Sequence, residues 1–171
     1  MKYNKNILLT KEEIKKCVQF GHAFANKKAE KSGHDFGATN INKRNNTDKI
    51  ADTIAGKLGE YAFFKFCKTH DLSIEIDFDI TPGKLNIDNG QDISLANNKP
   101  LNTRFDIKES KKFAQWLMIE SHKIDEKIIL SHVYIFIRLD LPKNIESNLN
   151  GFNKDTINAE VTGYALKSDF F

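Results

Sequence analysis

Phe105-Asp106-Ile107-Lys108 sets an acid and an amine two positions apart. In an extended chain, successive side chains point to opposite faces, so Arg104, Asp106 and Lys108 share one face while Phe105 and Ile107 share the other. An ionic face of this kind suits phosphodiester hydrolysis, in which hydroxide must reach a phosphorus already ringed by anionic oxygens and a divalent cation offsets the charge. Magnesium asks for hard oxygen ligands and keeps several waters, so one or two carboxylates suffice. Asp106 offers one. Asp92 offers a second, because the 13 residues between them are enough for a hairpin-like return of the chain. Lys108 is placed to lower the pKa of the attacking water or to stabilise the developing charge on phosphorus. A sheet with charges on a solvated face explains the same alternation without chemistry. The acid-x-lysine spacing also recurs at Glu13-Ile14-Lys15 and Asp125-Glu126-Lys127, neither of them in a strand pattern.

A third acid stands in Gly56-Lys57-Leu58-Gly59-Glu60-Tyr61-Ala62. Glu60 has Leu58, Tyr61, Ala62, Phe63 and Phe64 around it, and an ionised carboxylate in such surroundings is costly unless it is paired or binds a metal. A shared metal site meets that need, and so does pairing with Lys57 or Lys65.

Several elements must position these groups. A helix is predicted over residues 10–30, with Thr10 as N-cap and Glu12 and Glu13 in its first turn. Residues 33–48 are rich in Gly, Asn and Thr and read as an irregular loop. A second helix starts near Asp48, with Ile50, Ile54, Leu58, Ala62 and Phe66 as one apolar stripe. Residues 73–80 alternate strictly, as a half-exposed strand does, and turn chemistry brackets residues 85–87. Short strands follow at 92–95 and 104–108, separated by a turn over 97–100. Ser110 is expected to cap a helix through Phe113, Trp116 and Leu117. Residues 133–139 form a nearly continuous apolar run of β-formers, the pattern of a central strand covered on both faces. A last strand is expected near residues 159–164.

Asp92, the Asp106-Ile107-Lys108 triplet and the helical Glu60 together resemble the active site of the PD-(D/E)xK nuclease superfamily. The order helix, three strands, helix, strand over residues 48–140 is similar to that superfamily's αβββαβ core, an α/β fold with a small mixed sheet flanked by helices. The resemblance implies a Mg2+-dependent endonuclease with Glu60, Asp92, Asp106 and Lys108 as catalytic residues. It implies metal ligation by Asp92, Asp106, the Ile107 carbonyl and Glu60. One departure is that Gly90-Gln91 precedes Asp92 where the superfamily has Pro, and Asp88 is the nearest substitute. A single small domain, with 1–47 as a basic front part and 141–171 as a C-terminal strand and tail, is most like a type II restriction endonuclease acting on double-stranded DNA as a homodimer. Repair, recombination or phage-encoded nucleases would carry the same catalytic residues, and a non-catalytic DNA-binding module is the alternative of a different class.

Charge agrees with a polyanionic partner. Residues 1–50 hold 11 Lys/Arg against 5 Asp/Glu, a local +6 that leaves −3 for the rest of the chain. Arg44, Arg104, Lys111 and Lys112 are the candidate DNA contacts, Arg44 from an Asn-rich loop whose residue types read purine edges. Cys17 and Cys67 are too far apart for a redox or zinc motif and are expected to be reduced and structural. No membrane span or secretory leader is apparent, so the expected location is cytoplasmic.

Overall fold

The computed structural model describes residues 5–29, 45–76, 78, 92–114, 119, 131–145 and 148–170. Within these, a mixed five-stranded sheet carries two long helices. The strands are β1 (Asn6–Thr10), β2 (Ile93–Ala96), β3 (Lys99–Lys111), β4 (Val133–Leu139) and β5 (Thr156–Leu166), in the spatial order β1-β5-β4-β3-β2. Only β3 and β4 run parallel; every other neighbouring pair is antiparallel.

Helix α1 begins after the expected cap Thr10, and α2 begins at Asn46, two residues before the expected start near Asp48. Helix α1 (Lys11–Ala29) follows β1 directly, and the Thr10 N–H donates to Glu13 Oε2 at 2.7 Å, which satisfies a donor at the helix entrance. Helix α2 (Asn46–Lys68) has a full capping box, in which Asn45 Oδ1 accepts from the Asp48 N–H and Asp48 Oδ2 accepts from the Asn45 N–H. Its predicted stripe is the buried one: Ile50, Ile54, Leu58 and Ala62 all lie in the core, with Phe66 packed at its margin.

The core fills the space between the helices and one face of the sheet. Strand register puts Ile7, Leu9, Ile157, Ala159, Val161, Ile135, Ile137, Leu139 and Ile107 on that face, and all are buried. Glycines allow the layers to meet closely. A Cβ built on Gly21 of α1 would come within 2.4 Å of Ile54 Cγ1 of α2, and one on Gly59 of α2 within 3.1 Å of Glu109 Cβ of β3.

Several expectations change. Strand β1 was not anticipated; it precedes α1 and pairs with β5 from Asn6↔Glu160 to Thr10↔Thr156. Ser110 does not cap a helix. It belongs to β3, which continues to Lys111 because each residue through Lys111↔Leu139 finds a partner on β4, and ladder pairing overrides a capping tendency. The chain turns at residues 112–113, leaving Phe113 exposed. Trp116 and Leu117 lie outside the described residues. Of the strand expected over 73–80, the described part contributes a single antiparallel bridge, Ile74↔Ala96. Residues 85–87 lie outside the described residues. Strand β4 is central as expected: Ile135, Ile137 and Leu139 are buried on the helix side, and on the other side Tyr134 is fully buried while Phe136 and Arg138 are half-buried. Among the described residues, no helix is long and apolar enough to cross a membrane.

Candidate functional site

Strand β3 carries the candidate chemistry. It leaves β2 through a two-residue turn in which Asn97 and Asn98 hold positive φ values of 50° and 60°, a conformation that Asn tolerates and that suits a tight hairpin. The hairpin brings Ile93 opposite Phe105 and sets Asp92 at the edge of β3. The Asp92 N–H donates to the Phe105 carbonyl at 2.8 Å, and Asp92 Oδ2 accepts the Ile107 N–H at 2.5 Å.

That second bond fixes the orientation of the central residue. The N–H and C=O of one residue in an extended strand point to the same edge, so the Ile107 carbonyl faces the edge where Asp92 sits. The Ile107 side chain turns to the helices, where its Cγ2 lies 3.8 Å from a Cβ built on Gly59. Asp106 and Lys108 therefore project from the opposite face. Asp106 is only 4% exposed, and its Oδ2 pairs with Lys108 Nζ at 3.0 Å. Arg104 shares this face by alternation, and its backbone is held by His132 through Arg104 N–H to Nδ1 at 3.0 Å and His132 N–H to the Arg104 carbonyl at 2.9 Å.

The structure thus brings Asp106 and Lys108 into contact and sets Asp92 on the backbone between them. Glu60 is engaged elsewhere. Its Oε2 meets Lys57 Nζ at 2.6 Å, both side chains are largely buried, and Lys57 Nζ lies 4.6 Å from the ring centre of Phe20 and 5.5 Å from that of Phe78. Lys57, three residues earlier on α2 and flanked by two aromatic rings, supplies the partner that a carboxylate in this setting requires. Among the described residues, no three His, Cys, Asp or Glu side chains lie close enough to hold a metal by themselves. Asp92, Asp106 and the Ile107 carbonyl offer hard oxygens from neighbouring positions, a set suited to a cation that retains water.

The remaining candidates scatter. Lys111 turns away, with its Nζ donating to the Lys143 carbonyl at 3.3 Å, and Lys112 is exposed at the turn. Arg44 and Asp88 lie outside the described residues. Cys17 and Cys67 are free and buried, and burial pushes their thiols up to about 12 and about 11.

One acid escaped the sequence reading. Glu109 lies on the helix-facing side of β3, against Gly59 and with its Oε2 3.9 Å from a Cβ built on Gly56. Burial pushes its carboxyl up to about 7, its own backbone N–H and Lys108 draw it back, and Asp52 and Asp106 raise it further. The signal was present: alternation alone assigns Glu109 to the apolar side with Phe105 and Ile107.

No family model, curated protein or solved structure matches the chain.

Proposed function

We propose that the protein is a Mg2+-dependent nuclease that hydrolyses phosphodiester bonds in duplex DNA, built on an αβββαβ core of the PD-(D/E)xK kind. The observation that carries this reading is the Asp106–Lys108 pair, 3.0 Å apart on one face of β3, with Asp92 bonded to the Ile107 amide between them. The chain order supports it as well. Helix α2, the β2–β3 hairpin and a strand β4 parallel to β3 come in an order compatible with that core.

Asp92, Asp106 and the Ile107 carbonyl are the groups that would hold magnesium, which supplies Lewis acidity toward the phosphate and an acidified water. The residues themselves do the rest. The Asp92–Ile107 bond keeps the strand edge rigid, so the carbonyl and the two carboxylates keep a fixed relation. Lys108 holds a positive charge beside Asp106, where it donates to a phosphoryl oxygen as charge accumulates. A type II restriction role, with a homodimer placing one such site on each strand, fits a single small catalytic unit. Glu60 is assigned to the helix interface and given no step.

The test is cleavage of plasmid and linear duplex DNA with magnesium and with EDTA, repeated with Asp106→Ala and Lys108→Ala. Cleavage should require the metal and fall by on the order of 10²–10³-fold in each variant. Cutting that survives either substitution at the wild-type rate removes the assignment. Discrete fragments indicate site-specific cutting, and a smear indicates cutting without sequence preference.

A further inference from the structure

On the same face as the Asp106–Lys108 pair, the sheet holds a second polar group that the catalytic reading does not use. Ser110 of β3 stands directly opposite Arg138 of β4 in the parallel register, just as Asp106 stands opposite Tyr134 and Lys108 opposite Phe136. In a parallel ladder, paired residues project from the same face, so Ser110 and Arg138 share the face of Asp106 and Lys108. Ser110 Oγ and Arg138 Nε are both sealed from solvent, and neither has a hydrogen-bond partner among the described residues.

Two such atoms side by side are costly. An unsatisfied buried donor or acceptor forfeits about 1–3 kcal/mol, more where the group is charged. A guanidinium nitrogen is an unexpected atom to leave sealed and unbonded in a run that otherwise reads Val-Tyr-Ile-Phe-Ile-Leu. Glu160 of β5 is the other neighbour of Arg138 on this face, yet the two form no ion pair among the described residues. Arg138 Nε and Ser110 Oγ are therefore polar atoms without a partner among the described residues, on residues that are themselves only half-buried. Arg and Ser together recognise an oxyanion, the guanidinium by charge and fork geometry and the hydroxyl by a rotating O–H.

Position indicates which oxyanion. Ser110 lies two residues beyond Lys108 on one strand, roughly 6.6 Å along it. That step is comparable to the separation of successive phosphates in a nucleic-acid strand. We propose that Ser110 and Arg138 form a phosphodiester subsite that takes the phosphate next to the one held at Asp106 and Lys108. The proposal rests on the nuclease reading for its ligand, and on the pairing of Ser110 with Arg138 for its place.

The experiment is fluorescence anisotropy of a labelled DNA duplex in EDTA over a salt series, with wild type, Arg138→Gln, Arg138→Lys, Ser110→Ala and Asp106→Asn. Removing one phosphate-contacting charge should flatten the dependence of log affinity on log salt by about one, so Arg138→Gln is expected to bind about tenfold more weakly with that reduced slope. Arg138→Lys should restore the slope and only part of the affinity, because a lysine lacks the fork. Ser110→Ala should weaken binding about threefold and leave the slope alone. Circular dichroism checks that each variant folds. If Arg138→Gln does not fold, Arg138→Lys and Ser110→Ala decide, and wild-type affinity in both overturns the subsite. Wild-type affinity and slope in a folded Arg138→Gln also overturn it, as does a wild-type protein that fails to bind duplex at low salt. The nuclease reading fails separately, if Asp106→Asn cuts in magnesium as wild type does; the slope for Arg138→Gln then still settles whether the subsite exists.

Discussion

The two faces of β3 differ in how they treat a carboxyl group. On the face away from the helices, Asp106 is almost fully buried yet meets Lys108 at 3.0 Å. On the face toward α2, Glu109 packs on a glycine surface, and its carboxyl is pushed up to about 7 by burial. The strand is the same, and the neighbours are not. An acid placed against glycines and an isoleucine tends to keep its proton, whereas one placed against an ammonium has a charged partner. Burial alone does not make a charged site.

This contrast orders the expected effects. The largest falls on activity: Asp106→Ala and Lys108→Ala should abolish most cleavage, while circular dichroism shows an intact fold. Next comes the other buried ion pair. Glu60→Ala removes an ion-pair partner of the buried Lys57, which lies by Phe20 and Phe78, and should lower stability by about 2–4 kcal/mol, read as a shift in the urea midpoint. Replacing the pair together, Lys57→Met with Glu60→Leu, should regain most of that loss and still cut DNA. A double variant that folds but no longer cuts would return Glu60 to the catalytic site.

Smaller, and dependent on pH, is the effect of Glu109. Its carboxyl has an ordinary value of 4.5 and a folded value of about 7, so the folded state holds a proton that the unfolded chain releases between these limits. The stability this contributes is complete below pH 4.5, declines as pH rises toward 7 and is gone above it. Glu109→Gln should therefore raise stability at pH 8 by on the order of 2 kcal/mol and leave it unchanged at pH 4. Equal midpoints for wild type and variant at pH 8 would contradict the burial argument. The smallest effect belongs to Lys112, exposed at the turn after β3. Lys112→Ala should weaken duplex binding about twofold or less, with no change in cutting at saturating DNA.

What could be read in the sequence was what depends on near neighbours. The stripe at every fourth residue and the Asn45/Asp48 capping box determine α2 within one stretch of chain, and the apolar run at 133–139 marks β4 with the observed limits. Strand β1 is five residues long, and nothing beside it announces a strand, because its partners lie in β5. Ser110 has the residue type of a helix cap, but a long parallel ladder with β4 holds it extended. The acid in the apolar half of α2 was expected to join a metal site or to pair with a lysine. Sequence left metal and Lys57 both open, and the structure supplies Lys57 one turn away. Asp106 and Lys108 share a face by alternation alone. The hold of Asp92 on the Ile107 amide depends on the hairpin register, which a list of residues does not contain.

Strand β1 also bears on the order in which the chain assembles. It joins the sheet only through β5, with Leu8 opposite Asn158, so its ladder closes one of the longest loops the fold contains. Loop-closure entropy and high contact order place such a pairing late. During synthesis, α1, α2 and the β2–β3 hairpin can form while Ile7 and Leu9 still lack a strand to lie against. The β1–β5 ladder forms only when residues 156–160 arrive, so a strand made early is among the last to be paired.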